Sequence, residues 1–240
     1  MELEGRSAIV TGAAQGLGEA IARALHARGA SVVLADVNLD GAERLAVALG
    51  GRARAAECDV RSRAALARLV ESVERLDIMV NNAARTVPRS FWEIEQDEWD
   101  DVLAVNLRGV FFGCQLAGAR MREQGGGRIL NLASISGQQP GAMGAHYAAS
   151  KAGIVIVTKI AAAELAPHGV TCNALAPAAV RTPAFDFLTA ERLEALRQRI
   201  PVGRFGEPEE VGELAAFLCS DAAGYVTGAT YDVNGGLFMR

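Results

Sequence analysis

The chain has little lysine and little net charge. Only two of its 24 basic residues are lysines, Lys151 and Lys159, and the arginines are spread along the whole sequence. The formal net charge is −4, and no run of five or more like charges occurs. A protein that binds nucleic acid needs a basic face or tail to neutralise phosphates. The lack of one argues against general nucleic-acid binding.

Cysteine, histidine and long apolar runs are also scarce. The four cysteines lie far apart without a C-x-x-C pair, and the three histidines do not cluster. This spacing disfavours a zinc site and predicts reduced thiols in the core. No stretch of 18 uninterrupted apolar residues occurs, and the first six residues lack the pattern of a signal peptide. We therefore expect a cytoplasmic protein that needs no metal and makes no membrane contact.

The 240 residues, 50% of them hydrophobic, are enough for one substantial core. Strands are predicted over residues 7–10, 31–35, 54–58, 77–80, 127–132, 170–176 and 230–233. Helices are predicted over residues 16–28, 39–49, 64–75, about 97–124, 146–166 and 190–199. This alternation implies right-handed βαβ crossovers. It predicts a single α/β domain over 1–240, a Rossmann-type doubly wound parallel sheet of about seven strands with helices on both faces, and a substrate loop at about 177–208.

A glycine-rich turn joins the first predicted strand to the first predicted helix. Gly12, Gly16 and Gly18 have the spacing G-x-x-x-G-x-G. Glycines there let the backbone turn tightly and approach a pyrophosphate at the positive end of the helix. Asp36 ends the second predicted strand, where a carboxylate can accept both hydroxyls of an adenosine ribose. An ordinary tight turn and a loop acid are the alternative interpretations of these two features.

Lys151 follows Tyr147 by four positions. On a helix, residues with this spacing share a face, so the ammonium can lie beside the phenol. A neighbouring cation favours the ionised form of a phenol and lowers its pKa, which suits a proton donor or acceptor that works near neutral pH. A solvated pair on a helix surface would have the same spacing and remains open at this point.

Further motifs match one family when they are read with these two. They are Asp59-Val60 after the third predicted strand, Asn81-Asn82-Ala83-Ala84 after the fourth, and Val233-Asn234-Gly235-Gly236 near the end. Over essentially its whole length the chain resembles the short-chain dehydrogenase/reductase family. The resemblance implies that the catalytic residues are Asn106, Ser134, Tyr147 and Lys151.

The resemblance also implies a nicotinamide dinucleotide cofactor. The residues that it assigns to cofactor binding are Gly12, Gln15, Gly16, Leu17, Gly18, Asp36, Asp59, Val60, Asn82, Ala83, Ala84, Tyr147, Lys151, Pro177, Val180 and Thr182. Asp36, with no basic residue beside it, predicts NAD as the cofactor. Ala84 and Ala178 stand where the family usually has glycine. Each adds a Cβ where a left-handed backbone or a close cofactor approach is expected.

The mechanism implied by the resemblance is hydride transfer between nicotinamide and a substrate carbinol or carbonyl carbon. Tyr147 would be the acid/base, and Lys151 would lower its pKa and hold the cofactor ribose. Ser134 would donate a hydrogen bond to the substrate oxygen. Asn106 would position a water that links Lys151 to solvent.

The substrate is predicted to be a small or medium secondary alcohol or ketone. This follows from a mixed apolar and polar set of pocket candidates, Ser136, Gln138, Met143, His146, Ala179 and Phe185. Among subfamilies the chain is similar to NAD-dependent secondary-alcohol and polyol dehydrogenases and to 3-oxoacyl-(acyl-carrier-protein) reductases. Those reductases generally use NADPH and carry arginines that dock an acidic carrier.

The arginines of those reductases are replaced here by Gly125 and His168, although Arg120, Arg122 and Arg128 lie nearby in the sequence. Together with Asp36, this favours an NAD-dependent dehydrogenase and leaves the reductase as the alternative. A catalytically silent NAD-binding regulator is a third hypothesis. The intact catalytic set disfavours it.

The two helices over residues 97–124 and 146–166 carry more apolar and small residues than one sheet-facing stripe requires. These residues include Phe111, Phe112, Ala117, Ile154, Ile156 and positions 161–163. A second apolar face predicts helix packing between subunits. The resemblance implies a homotetramer built on these helices and on the C-terminal strand.

Overall fold

A computed structural model of the chain describes residues 2–141, 143–183 and 189–239. Its strands are β1 (Ser7–Thr11), β2 (Ser31–Asp36), β3 (Ala53–Glu57), β4 (Ile78–Asn81), β5 (Gly127–Leu132), β6 (Val170–Pro177) and β7 (Thr230–Val233). They form one parallel sheet in the order β3-β2-β1-β4-β5-β6-β7. The central strands read as nearly continuous apolar runs because both faces of the sheet are covered. The predicted α/β fold is confirmed.

Helices cover both faces of the sheet. They are α1 (Gly16–Ala27), α2 (Leu39–Leu49), α3 (Arg63–Glu71), α4 (Gln96–Leu103), α5 (Gly109–Gln124), α6 (Ala145–Leu165), α7 (Ala190–Gln198) and α8 (Pro208–Leu218). Buried side chains of α1, α2 and α8 form the core on one face. Those of α3, α5 and α6 form the core on the other face. The strand order changes direction between β1 and β4, and a doubly wound sheet binds its ligand beside the carboxyl ends at that point.

The predicted helix over about 97–124 is interrupted. A π-helical turn at Ala104–Arg108 separates α4 from α5, and Asn106 lies inside it. By length and composition, Gln96–Gln124 is the one helix among the described residues that could cross a membrane, but 44% of its most apolar part is buried. Its α5 portion packs on α3, α6 and β5. These contacts identify it as a core helix of this sheet.

One helix, α8, lies beyond the sequence-based assignment. It begins with Pro208 in its first turn and with a capping box between Glu207 and Glu210. Proline at the first helical position and an acidic residue three positions after the cap are both start signals. The helix was therefore readable from the sequence. Its buried face packs against α1.

Candidate active site

A cleft of about 580 Å³ opens at the carboxyl ends of β1, β2, β3 and β4. Most of the predicted cofactor-binding residues line it: Gly12, Gln15, Gly16, Leu17, Asp36, Asp59, Val60, Asn82, Ala83, Ala84, Tyr147, Lys151 and Thr182. Gly18, Pro177 and Val180 are not part of the lining. The fold thus brings residues from eight separate segments of the sequence to one cleft.

The glycines of the first turn leave room for close backbone approach. Gly12 and Gly16 have φ values of +64° and +60°, which favour glycine. A Cβ on Gly12 would lie 2.7 Å from the Cα of Ala83. A Cβ on Gly18 would overlap the carbonyl oxygen of Gly12, so this glycine lets α1 pack on the turn. Gly18 therefore lies behind the cleft wall and does not line the cleft.

Thr11 and Asn82 fasten the end of β4 to the glycine turn. The hydroxyl of Thr11 accepts hydrogen bonds from the backbone N–H of Asn82 at 3.0 Å and of Ala83 at 3.2 Å. The side-chain amide of Asn82 donates to the carbonyls of Thr11 and Gly12, both at 2.9 Å. Thr11 was not assigned from the sequence. Its hydroxyl side chain directly before Gly12 could have indicated this role from the sequence.

The Asp36 carboxylate is held in the cleft wall by two backbone amides. Ala14 N–H donates to its Oδ2 and Asn38 N–H to its Oδ1, each at 2.9 Å. Each carboxylate oxygen retains further lone pairs, since a carboxylate has about four acceptor positions. The carboxylate is thereby oriented to accept additional hydrogen bonds from a ligand in the cleft.

Two arginines that were not predicted from the sequence also line the cleft. Arg61 contacts Asp59 at 2.8 Å and Asp101 at 2.9 Å, and Arg85 contacts Asp101 at 2.8 Å. Hydrogen bonds from Arg61 lower the pKa of Asp59. Both guanidinium groups are therefore already paired with carboxylates.

Lys151 is buried at the inner end of the cleft. Its Nζ donates to the carbonyl of Leu132 at 2.6 Å and lies 5.5 Å from the centre of the Tyr147 ring. Burial lowers the pKa of Lys151 to about 7. The fold thus rejects the alternative of a solvated pair, because the lysine is inside the protein.

The Tyr147 phenol has hydrogen-bonding partners in Ser134 and Thr86. Burial raises the pKa of the phenol, and the hydrogen bonds to Ser134 and Thr86 oppose that increase. The expected lowering by Lys151 is therefore not the dominant effect in this structure, where desolvation is larger. A phenol with a raised pKa keeps its proton at neutral pH. Thr86 is a further hydroxyl at this site that sequence reasoning did not assign.

Asn106 is fully buried and connects the loop after β4 to α6. Its Oδ1 accepts from the backbone N–H of Arg85 at 2.7 Å, and its Nδ2 donates to the Arg85 carbonyl at 3.0 Å and to Ser150 Oγ at 3.2 Å. Ser150 in turn donates to the carbonyl of Tyr147 at 2.7 Å. Both donors of the Asn106 amide are engaged by protein atoms. Its predicted role in holding a water stays a prediction.

The predicted substrate-pocket residues lie on several elements, and their place in one pocket stays a prediction. Gln138 donates to Asp232 at 2.6 Å, and His146 is fully buried beside Glu98. Ser136 lies in the short turn Ile135–Gly137, and both Ser136 and Met143 are half-buried. Ala179 is buried against Ile200 and Phe205. Phe185 lies outside the described residues.

The two alanines that replace usual glycines keep ordinary backbone conformations. Among the described non-glycine residues, Ala179 alone has a positive φ, at 53°. Ala84 and Ala178 therefore need no left-handed backbone. Val180 lines a small cavity with Ala179 and Ile200 behind the cleft, and Pro177 ends β6 in a buried position.

Comparison with known proteins matches residues 12–238 to the family model described as enoyl-(acyl carrier protein) reductase. The chain is 42% identical to D-threitol dehydrogenase of Mycolicibacterium smegmatis over 99% of this chain and 95% of the relative. It is 38% identical to the 3-oxoacyl-(acyl-carrier-protein) reductase of Thermotoga maritima over 100% of both chains. An uncharacterized oxidoreductase of Mycobacterium bovis is 43% identical over 99% of this chain and 98% of the relative.

Proposed function

Because this chain belongs to the short-chain dehydrogenase/reductase family, we propose that it is an NAD-dependent oxidoreductase acting on a small or medium secondary alcohol or ketone. The observation that carries the proposal is that Tyr147 and the buried Lys151, whose Nζ lies 5.5 Å from the tyrosine ring, line the same cleft that presents the Asp36 carboxylate. A proton-transfer group and a ribose-binding acid share one cleft. A catalytically silent regulator would have no need for this arrangement of hydroxyls and a buried lysine.

The residues of the cleft fit a nicotinamide dinucleotide. Gly12 and Gly16 line the cleft at the start of α1, which suits a pyrophosphate, and the fixed carboxylate of Asp36 suits the adenosine ribose. Asp59 and Val60, which also line the cleft, would contact the adenine. When bound, the nicotinamide supplies or accepts the hydride. Tyr147 and Lys151 would then contact its ribose at the inner end.

Tyr147 would transfer the proton at the substrate oxygen. In ketone reduction its protonated phenol donates to the forming alkoxide, and in alcohol oxidation the phenolate accepts the alcohol proton. Ser134 would hydrogen-bond the same substrate oxygen and stabilise charge that develops there. Lys151, in its charged form, would favour the phenolate and so assist oxidation.

A polyol is the substrate class that we propose to test first, because D-threitol dehydrogenase is a relative at 42% identity. The reductase alternative is supported by the reductase relatives, among them one at 38% identity. Two of the nearby arginines are already engaged, since Arg120 donates to the Glu74 carbonyl and Arg128 to Ser220 and Asp221. Arg128 lies at the start of β5, at the edge of the sheet opposite the cleft. This placement favours a small substrate over an acidic carrier.

A substrate screen tests the proposed function. Purified protein would be mixed with NAD and a panel of polyols and secondary alcohols, and with NADPH and a 3-oxoacyl thioester, while nicotinamide absorbance is followed. Oxidation of alcohols with NAD supports the proposal. Faster turnover of the thioester with NADPH would replace it by the reductase, and cofactor binding without turnover of any compound would favour the regulator.

Replacing Lys151 by methionine should stabilise the protein at low pH while destroying activity. The pKa of this lysine is about 7 in the folded protein against 10.5 in its ordinary state, so the buried charge destabilises the fold. The cost is fully present below pH 7 and declines as the pH rises towards 10.5. We expect a gain of roughly 2–4 kcal/mol at pH 6, after allowing for the lost bond to the Leu132 carbonyl.

Denaturant unfolding at pH 6 and pH 9 would measure this gain. The other lysine supplies the control, because Lys159 is exposed on the same helix. Lys159→Met should leave unfolding unchanged at both pH values. An equal gain at pH 6 and pH 9 for Lys151→Met would contradict the buried-charge explanation.

We also propose that the protein is a cytoplasmic homotetramer. An apolar depression lined by Leu107, Phe111 and Ile156 lies on the outer side of α4, α5 and α6. Phe111 is 45% exposed and Ile156 is 54% exposed, and they line one contiguous apolar depression, a feature that marks interaction sites. Ala117 and Ile154, which were assigned to this face, are instead buried within the subunit. The sequence pattern could not distinguish the two faces of these helices.

Phe111→Asp should convert the tetramer into a smaller species. A carboxylate in the centre of an apolar subunit contact would have to be buried without a partner. Light scattering at micromolar concentration would measure the change, with Val47→Asp as a control at an 84% exposed position on α2. A wild-type protein that is already monomeric would refute the proposed assembly.

A further inference from the structure

The first turn of α6, which carries Tyr147, has no ordinary N-terminal cap. Gly144 is the cap residue and has no side chain to accept a backbone N–H. The first N–H groups of a helix lack partners within the helix and usually find a side-chain oxygen. Here the N–H of Tyr147 donates to Nδ1 of His146 at 2.9 Å. The residue next to the catalytic tyrosine therefore replaces the missing cap.

This hydrogen bond favours one position for the proton of the neutral His146 ring. Nδ1 accepts, so the neutral ring has its hydrogen on Nε2. The ring is fully buried. Its Nε2 makes no hydrogen bond to the described residues, and the nearest carboxylate oxygen across from it is Oε1 of Glu98 at 3.4 Å. Glu98 lies in the first turn of α4, and its side chain is 17% exposed.

The Glu98 carboxylate is itself oriented from its other side. Arg89 Nε donates to Oε1 at 3.2 Å and to Oε2 at 3.1 Å. Glycine at position 144 leaves the space that the imidazole needs, because a Cβ there would lie 2.7 Å from His146 Cε1 and 3.3 Å from the Arg89 carbonyl. A continuous set of contacts thus runs from the loop before α4 to the backbone of Tyr147.

We propose that Glu98 and His146 are positioning residues for Tyr147. The carboxylate keeps the imidazole proton on Nε2, the imidazole then accepts the Tyr147 N–H, and the first turn of α6 holds the phenol at Ser134. An acid that orients a histidine through its far nitrogen is a recurrent device in active sites. His146 does not touch the substrate in this role. The inference rests on the proposed function, since it assigns a purpose to a fixed Tyr147.

Nitrogen NMR of the histidines tests the structural part without any substrate. The chain has three histidines, so a His146→Asn variant identifies the His146 signal by its loss. At pH 8 we expect one neutral tautomer with the proton on Nε2. In Glu98→Met, which removes the carboxylate beside Nε2, the fraction of this tautomer should fall. A wild-type ring protonated on Nδ1 would overturn the proposal even if the protein is an active dehydrogenase.

Kinetics test the catalytic part. Loss of a group that orients a catalytic residue typically lowers activity about 10–100-fold. We expect Glu98→Met to lower kcat in this range while the dissociation constant for NAD and the melting temperature change little, and Glu98→Gln to lower kcat less because an oxygen acceptor remains. The matched control is Glu95→Gln, at an exposed residue that makes no side-chain capping bond to the same helix.

A double-mutant cycle separates positioning from general loss of structure. The Oδ1 of an asparagine at position 146 can still accept the Tyr147 N–H, so His146→Asn should retain more kcat than His146→Ala. With asparagine in place, Glu98→Met should add no further loss, because the coupled residue is gone. Additive losses, or wild-type kcat in Glu98→Met, would overturn the proposal. Absence of turnover in the wild type would instead refute the proposed function, and the NMR result would still decide the role of Glu98.

Discussion

Tyr147→Phe should abolish turnover, with kcat falling about 10²–10⁴-fold, while the affinity for NAD stays within several-fold of the wild type. Only the hydroxyl that meets Ser134 and Thr86 is lost, and the ring that lines the cleft remains. Steady-state rates with the best substrate of the screen would measure the first effect. A fluorescence titration with the cofactor would measure the second.

The pH dependence of the wild type belongs to the same prediction. Burial raises the pKa of Tyr147, so the base needed for oxidation forms only as the pH rises above the ordinary value for a phenol. A bound positive nicotinamide would reduce this increase. We expect alcohol oxidation to accelerate with pH and ketone reduction to slow. Tyr147→Phe should show neither trend.

Tyr225→Phe is the matched control, because that tyrosine is fully exposed and lies away from the cleft. It should behave as the wild type in both assays. A Tyr147→Phe enzyme that retains wild-type kcat would show that the proton comes from another group, and the assignment of Tyr147 would be wrong.

The second large effect concerns the choice between NAD and NADP. Asp36 can give two charge-assisted hydrogen bonds to the ribose hydroxyls of NAD, each contributing roughly 1.5–3 kcal/mol. The same carboxylate would face the 2′-phosphate of NADP, which carries nearly two negative charges. We expect a preference for NAD of about two to four orders of magnitude in kcat/KM.

The paired state of the cleft arginines strengthens this expectation. A free guanidinium near Asp36 could bind the phosphate and cancel the repulsion. Arg61 and Arg85, however, are engaged by Asp59 and Asp101 within 2.9 Å. The carboxylate of Asp36 therefore meets the phosphate without compensation from these two arginines.

Asp36→Ala should relax the preference, and Val37→Arg should move it toward NADP, because Val37 is 66% exposed and lines the cleft. Asp36→Asn should relax it while still accepting the Ala14 N–H, which separates lost charge from a loosened turn. Asp40→Ala is the control for charge, since that exposed acid lies outside the cleft lining. Comparable kcat/KM for NAD and NADP in the wild type would show the interpretation of Asp36 to be wrong.

The sequence alone determined the fold and indicated which residues line the cleft. Alternating strand and helix patterns predicted the parallel sheet, since periodicity is a local property of the chain. Motifs at the ends of predicted strands, such as Gly12 after β1 and Asn82 after β4, predicted the position of the cleft. Parallel strands place their carboxyl ends along one edge of the sheet, so residues that directly follow neighbouring strands lie close together in space.

Only the tertiary structure decided how these groups are paired and how strongly they are desolvated. Arg61 contacts Asp101, which lies 40 positions away in the sequence. His146 on α6 lies beside Glu98 on α4. The spacing of Tyr147 and Lys151 predicted their proximity. It predicted the wrong direction for the pKa shift of Tyr147, because burial raises that pKa and burial depends on the whole surrounding core. Contacts between distant segments and the loss of water follow from packing, which no single stretch of sequence encodes.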